Sequence, residues 1–435
     1  MNKRAALWIG LYLLLVAAPL LVLMAGPAPP GREFWWDFSK GLGFAGLAMF
    51  GIQFALTARF RRASAPFGID IIYFAHKYLA WIALGLVFAH WAIIYLFYAE
   101  AAGPLNPLEA PWEMTAGRGA LLLFSLAVVT TQWRVRLGLE YGLWRYCHVA
   151  FATLGFLLAA AHVAGIGYYT QAPQSLALWL GLTLGWIGLW LWLRIAKPWR
   201  QKRRPYKVVE LREEGPDTYT LALAPDGHEG LAGFQPGQFA WLTLRHSPYT
   251  LREHPFSISS PPEALPRVEF TIKALGDFTS RIRDVVPGER AFLDGPFGAF
   301  SPDRWPDAPA VVMIAGGVGV TPMMSIARSQ AARGGGRPLY LFYANRTEAD
   351  ILFREELERL PITVVHILEQ PPEGWSGESG FLDAAMLDRH LPKDRRAECA
   401  YFLCGPPPMM AAVEAHLARL GVPEARIEQE IFNLT

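Results

Sequence analysis

Apolar positions fall into long, almost uncharged runs before residue 197 and into short alternating segments after it. Six runs are long enough to cross a bilayer as helices: 5–24, 40–58, 69–98, 119–133, 144–167 and 176–195. Residues 198–204 are basic and bounded by prolines, which reads as a connector. Beyond it, segments 207–211, 219–223, 239–244, 268–273 and 291–294 alternate between Gly- and Pro-rich turns, the pattern of a small antiparallel barrel. From residue 309 the pattern changes again. An apolar run at 310–315 suits a buried parallel strand, a glycine-rich turn follows, and 323–333 has helical spacing; strands at 339–344 and 363–368 come next. The predicted architecture is a membrane all-α six-helix bundle over 1–197, an antiparallel β-barrel domain over 198–306, and an α/β domain with a parallel sheet over 307–435.

Composition sharpens this division. Of 435 residues, 52% are hydrophobic and 18% charged, against a charged share of about 25% in ordinary soluble domains. The apolar excess lies before Lys197. A net charge of +2, with no basic stripe interleaved with aromatics in the soluble half, gives no basis for a nucleic-acid partner. Cys147, Cys399 and Cys404 form neither a CxxC nor a Cys/His zinc pattern, and no structural disulfide is expected. The first run resembles a signal peptide, with Lys3 and Arg4 ahead of it. Its length, and the Pro-rich stretch leading into another span, favour an uncleaved first helix.

Basic residues set an orientation. Lys3 and Arg4, then Arg59, Arg61 and Arg62, then Arg134, Arg136 and Arg145, then Lys197 through Arg204 mark one side; the alternate loops are poor in base. Both termini are expected in the cytoplasm, in a multi-pass protein of the plasma (inner) membrane.

Within the spans, His76 and His90 are 14 residues apart, and so are His148 and His162. On a helix, 14 residues advance about 21 Å and return to nearly the same face. Each pair thus presents imidazoles at two depths of a hydrocarbon core about 30 Å thick. A single intramembrane His is ordinarily a hydrogen-bonded core residue. Ionisable groups are costly there, however, and a repeated spacing points to a site. Helices 69–98 and 144–167 run in the same direction, so the expected partners are His76 with His148 on the inner side and His90 with His162 on the outer side. Bis-imidazole ligation of two stacked b-type haems fits this arrangement. Lys77 and Arg145 lie near the inner level, where they either meet haem propionates or simply reach toward the interface.

The soluble half carries five motifs. They are His254-Pro255-Phe256-Ser257; Lys273 followed by Gly276-Asp277-Phe278-Thr279; Gly295-Pro296-Phe297-Gly298; Gly316-Gly317-Val318-Gly319-Val320-Thr321-Pro322; and Cys404-Gly405-Pro406-Pro407-Pro408-Met409. Glycine-rich turns expose backbone N–H groups to phosphate, although the fourth motif lacks the GxGxxG spacing. In this order, and behind four intramembrane histidines, the motifs resemble the NADPH oxidase and ferric reductase family, with its ferredoxin-reductase-type flavin module. The resemblance spans about residue 40 to the end. It implies FAD along His254, Pro255, Phe256 and Ser257, with Ser257 at the reactive edge of the flavin. It places the FAD phosphates near Lys273 and Gly276–Thr279, and adds Gly295, Pro296, Phe297 and Gly298 to that domain. Gly316, Gly317, Gly319, Thr321 and Pro322 would receive NADPH or NADH, while Cys404, Gly405 and Pro406 would approach the nicotinamide. Arg346, just past a strand, suits a 2′-phosphate and favours NADPH. The C-terminal Glu430-x-Phe432 pattern implies a ring that covers the flavin, with Phe432 as the gate.

The expected activity is electron transfer from cytoplasmic NAD(P)H, through FAD and two haems, to a small acceptor beyond the bilayer: oxygen, giving superoxide, or a ferric chelate. Two other readings stand beside it. The chain is a reductase subunit for a membrane or extracytoplasmic redox protein, or it is a membrane-anchored flavin reductase without haem. One departure bears on oxygen: animal members of the family carry another His one turn beyond the outer ligand, where this chain has Ile94.

Overall fold

A computed structural model of the protein describes residues 3–25, 33–60, 69–167, 170–391 and 393–431. The chain separates into two compact units, Met1–Pro198 and Trp199–Thr435.

The first unit is helical. Among the described residues six helices are long and apolar enough to cross a membrane: α1 (Lys3–Ala25), α2 (Phe34–Leu56), α3 (Ile69–Phe97), α4 (Trp112–Gln132), α5 (Tyr141–Ile166) and α6 (Pro173–Leu191). Two boundaries depart from expectation. Helix α4 starts two turns earlier than residue 119, taking in Glu113 and Arg118. Glu113 sits in the first turn, where the helix dipole favours an acid. The Arg118 guanidinium donates to the carbonyls of Ala102 and Pro104 at 2.7 and 2.6 Å. The second departure is the predicted connector at 198–204. Helix α6 runs on through a π-turn (Trp192–Ala196) into a helical segment, Lys197–Lys202. The wider turn, in which the Lys197 N–H reaches the Trp192 carbonyl, gives the Pro198 ring room that a regular helix denies it.

Helix α2 lies chiefly against α3, and α4 against α5, whereas the backbones of α3 and α5 barely approach one another. The centre of the unit is aromatic. Phe50 of α2 stacks on Phe124 of α4 at 3.9 Å, and Phe156 of α5 stacks on Trp186 of α6 at 4.3 Å.

The second unit has two sheets. The first joins β1 (Tyr206–Gly215), β2 (Thr218–Pro225), β3 (Phe239–Leu244), β4 (His254–Ser257), β5 (Val268–Lys273) and β6 (Arg290–Phe297) in the antiparallel order β4-β3-β6-β1-β2-β5. A bridge between Ile258 and Phe270 links the two ends of that order, so the sheet curls into a barrel around Leu221, Leu242, Ile258 and Phe270. Strand β6 outruns its expected end at residue 294, passing through a bulge at Gly295 and Pro296 to pair Phe297 with Phe239. The reason is close packing on β3: a Cβ on Gly295 would lie 2.7 Å from that of Ala240.

The second sheet is parallel, in the order β10-β9-β8-β7-β11-β12, from β7 (Val311–Gly316), β8 (Leu339–Asn345), β9 (Thr363–Leu368), β10 (Glu378–Ser379), β11 (Ala400–Cys404) and β12 (Ile427–Glu430). Strand β7 is buried along its whole length, as its unbroken apolar run requires. Helices α7 (Val320–Ala332) and α8 (Pro407–Arg419) follow β7 and β11. The chain winds outward in both directions from the β7/β11 junction, which makes that junction the topological switch point, where such sheets bind ligands.

Candidate cofactor sites

The four intramembrane histidines form two pairs in the partnership expected. The His76 and His148 ring centroids are 6.3 Å apart, and those of His90 and His162 are 6.4 Å apart. A metal held between two imidazoles at about 2 Å from each nitrogen puts the ring centres about 6 Å apart. Each pair would therefore accommodate one metal ion between its two imidazoles, with the gap between α3 and α5 left for a flat macrocycle.

Hydrogen bonds fix which ring nitrogen faces the gap. The His90 Nδ1–H donates to the Ser39 carbonyl at 2.9 Å, and the Ser39 hydroxyl donates to the His90 carbonyl at 3.2 Å. The His162 Nδ1–H donates to the Glu113 carbonyl at 2.8 Å. The His148 Nδ1–H faces the Ala127 carbonyl at 3.3 Å and the Thr131 hydroxyl at 3.1 Å. A carbonyl only accepts, so in these three rings the proton sits on Nδ1 and Nε2 keeps its lone pair, the tautomer a metal ligand needs. The Nδ1 of His76 is buried and has no hydrogen-bond partner among the described residues.

Between the outer pair lies a cavity walled by Leu47, Val87, Leu121 and Val163, with Ile94, Lys40 and Arg118 also on its lining. Apolar walls with a few cations suit a macrocycle that bears carboxylates. Lys40 was not singled out in the sequence, because it stands at the start of a span where a lone cation reads as an interface residue. At the inner level Lys77 is exposed and Arg145 half-buried.

In the second unit, β4 displays His254, Pro255 and Phe256 half-buried and Ser257 buried. The His254 ring stacks on Phe278 at 4.0 Å, which ties the β4 motif to the Gly276–Thr279 turn. The Thr279 hydroxyl accepts the N–H groups of Leu275 and Gly276, both at 2.9 Å. The Gly276 donor, expected to point at phosphate, is thus used to shape the turn; the short helix Thr279–Asp284 begins there instead. Lys273 ends β5 half-buried, Asp277 is exposed, and Gly298, with φ +97°, turns the chain out of β6.

At the switch point three glycines permit backbone contact between the loops after β7 and β11. A Cβ on Gly319 would fall 2.2 Å from the Cys404 carbonyl oxygen. One on Gly316 would meet Pro406 and Met409 at 2.8 Å, and one on Gly405 would meet Met409 at 2.7 Å. Gly317 takes φ +53°, Thr321 caps the turn by donating to the Val318 carbonyl at 2.7 Å, and Pro322 lies buried in the first turn of α7. Arg346 is exposed just past β8.

Cys404 is fully buried, and burial pushes its thiol well above the ordinary range, with the nearby Glu430 charge adding to the effect. Glu430 pairs with Cys404 in the β11/β12 register, and its carboxylate accepts from the Ser257 hydroxyl at 3.5 Å. It therefore links the residues assigned to flavin and to nicotinamide. Glu430 belongs to the C-terminal Glu-x-Phe pattern, which by itself assigns it no role. Phe432, the expected gate, lies outside the described residues.

Helix α7 joins the two sheets. The Ser325 hydroxyl donates to the Ser260 carbonyl and the Arg328 guanidinium to the Ser259 carbonyl, both at 2.8 Å, while Arg328 also forms a two-point pair with Glu356 at 2.7 Å. The segment directly after Ser257 is thereby fixed to the helix that begins at the glycine-rich turn.

These sites define a class: flavin- and nicotinamide-nucleotide-binding oxidoreductase domains joined to a transmembrane helical bundle. The chain matches the ferric reductase like transmembrane component over residues 42–160, an FAD-binding domain over 220–301 and an oxidoreductase NAD-binding domain over 313–415. Their order matches the architecture of the NADPH oxidase/ferric reductase family. Among curated relatives, NADH-cytochrome b5 reductase 1 of Cryptococcus neoformans is 36% identical over 36% of this chain and 59% of its own length. The glycine betaine monooxygenase reductase subunit of Chromohalobacter salexigens is 32% identical over 54% of this chain and 66% of its own. The chain thus spans less than two thirds of either relative. The cytochrome b5 reductase domain of Ulva prolifera nitrate reductase matches 53% of this chain and 98% of its own, at 24% identity and a TM-score of 0.47.

Proposed function

We propose that the protein carries electrons from cytoplasmic NAD(P)H across the plasma membrane to an acceptor on the outer side, oxygen or a ferric chelate. Bound FAD would supply the conversion between hydride and one-electron chemistry, and two bound b-type haems would supply one-electron redox chemistry within the apolar layer. The chain's own residues do the holding. His76 with His148, and His90 with His162, would hold the haems at two levels through their Nε2 atoms. His254 through Ser257 and the Phe278 turn seat the flavin, and the loops at the β7/β11 junction seat the nicotinamide nucleotide. Exposed Arg346 supports NADPH, whereas the cytochrome b5 reductase relatives are named for NADH. Arg346→Ala should lower the NADPH:NADH ratio of kcat/KM by about tenfold; an unchanged ratio removes Arg346 from nucleotide choice.

The observation that carries this reading is the pairing of four imidazoles at 6.3 and 6.4 Å across two helices whose backbones stay apart. Its test is the absorption spectrum of the purified chain from a haem-competent host. Reduced b-type bands equivalent to two haems per chain are expected. Their absence selects the membrane-anchored flavin reductase. A second reading gains support from the relative named as a reductase subunit: a membrane or extracytoplasmic redox protein takes the electrons. NAD(P)H turnover that appears only on adding such a protein would select it.

A further inference from the structure

The membrane unit contains an internal duplication. Ser39 and Glu113, Gly43 and Gly117, Phe50 and Phe124, and Thr57 and Thr131 are each 74 residues apart; His76 and His148, and His90 and His162, are each 72 apart. The offsets relate α2 to α4 and α3 to α5, and at the level of His90 and His162 the contacts repeat with them. In each hairpin a carbonyl of the first helix receives the outer imidazole Nδ1–H, from Ser39 in one and Glu113 in the other. Four residues on, each helix has a glycine beneath the same ring. A Cβ on Gly43 would lie 3.1–3.3 Å from ring atoms of His90, and one on Gly117 would lie 2.9–3.1 Å from those of His162. Phe50 and Phe124, related by the same offset, stack face to face where the copies meet. At the inner level the glycine position is threonine in both copies. The Thr131 hydroxyl donates to the Ala127 carbonyl at 2.6 Å, and the Thr57 hydroxyl to the Gln53 carbonyl at 3.3 Å.

We infer that Gly43 and Gly117 are positioning residues of the outer haem level, each acting with the carbonyl one turn before it. The inference rests on the haem reading above. The carbonyl sets the tautomer and the direction of the ring. The missing side chain lets the ring lie against the helix, which fixes how far its Nε2 projects into the gap between α3 and α5. A methyl group at Gly117 comes inside 3.0 Å and forces the ring or the helix to move. At Gly43 the overlap is a few tenths of an ångström smaller, so Gly117→Ala should have the larger effect. Helix propensity cannot account for a loss, because Gly→Ala in a helix interior is favourable by about 1 kcal/mol.

The test uses the full chain from a haem-competent host, as wild type, Gly43→Ala, Gly117→Ala and the control Gly85→Ala. Gly85 lies on α3, where an added Cβ meets nothing within 4 Å. The readouts are haem per chain, the low-spin ferric electron paramagnetic resonance spectrum and optical redox titration. NAD(P)H:ferricyanide activity reports that the reductase unit is intact. Wild type and control should show two haem components. Gly117→Ala should lose or shift one, with haem per chain falling by about half where it is lost. Gly43→Ala should disturb the same component less. Two unaltered components in both variants overturn the inference while leaving the proposed function standing. Loss of both components together also overturns it, since the glycines are then general packing positions. A wild type without haem overturns the proposed function and the inference with it.

Discussion

The Cys404 thiol sits where the register of β11 and β12 sets it opposite Glu430, with no exposure to solvent. Burial first, and the Glu430 charge second, hold it well above the usual thiol range, so at neutral pH the residue is a neutral, compact group rather than a nucleophile. The sign follows. The folded protein binds this proton more tightly than the unfolded chain, so the associated stability is full below the ordinary thiol range and is lost as pH rises through the folded value. Iodoacetamide at pH 8 should therefore modify Cys404 roughly tenfold or more slowly in the native protein than in denaturant, measured by peptide mass spectrometry. Equal rates would mean an accessible thiolate. At this scale the sequence is readable where side-chain identity carries the chemistry. The four histidines stand out by spacing and Cys404 by its Gly-Pro neighbours. The carbonyls of Ser39 and Glu113 do not stand out, because any residue has one. Gly43 and Gly117 acquire meaning only once a ring is seen to lie on them.

Among the elements, α7 shows how two sheets with separate cores act as one reductase. Its N-terminal turn grows from Gly316–Gly319, and Ser325 and Arg328, farther along the helix, grip the carbonyls of Ser260 and Ser259. The guanidinium also lies over the Phe353 ring at 5.1 Å, so it is packed as well as paired. Arg328→Met keeps most of the stem and removes the donors. It should cost about 1–3 kcal/mol, seen as a lower Tm. It should also slow NAD(P)H:ferricyanide turnover by about tenfold, since flavin strand and nucleotide turn lose their fixed alignment. Unchanged Tm and turnover would show that other contacts align the sheets. Sequence pattern located α7 and both its flanking strands but offered no sign of this clamp, because one Arg in an amphipathic helix reads as a solvated residue. The α6 extension was hidden for a related reason. Pro198 and a run of basic residues read as a break, and only the π-turn ahead of the proline shows how the helix continues.

For the whole molecule, the decisive question is whether the two histidine levels act in series. The outer pair is His90 with His162, and a serial route makes every electron delivered to the far side depend on it, whereas electrons drawn at the flavin do not. His90→Ala removes one candidate ligand nitrogen and leaves the other pair intact: His76, 14 residues away on the same helix, and His148 on α5. In sealed vesicles with the reductase unit facing the NAD(P)H, the variant should lose nearly all reduction of a membrane-impermeant acceptor on the opposite face. Ferricyanide reduction on the NAD(P)H side should fall by less than about twofold, since no residue of the flavin or nucleotide site is touched. The same preparation tests orientation, because substrate and acceptor exchanged between faces should give no turnover. Parallel loss of both activities would mean that the outer pair holds the fold rather than the route. Survival of both would mean that electrons leave before reaching it, and the acceptor would then have to be sought at the inner level or at the flavin. Ile94, buried four residues after His90 on the wall of the cavity between His90 and His162, gives that cavity an apolar lining at that point. A protein that reduces oxygen there would have to do so without an imidazole at that position. Superoxide-dismutase-sensitive dye reduction in the wild type, set against ferric chelate reduction in the same vesicles, decides which small acceptor this lining admits.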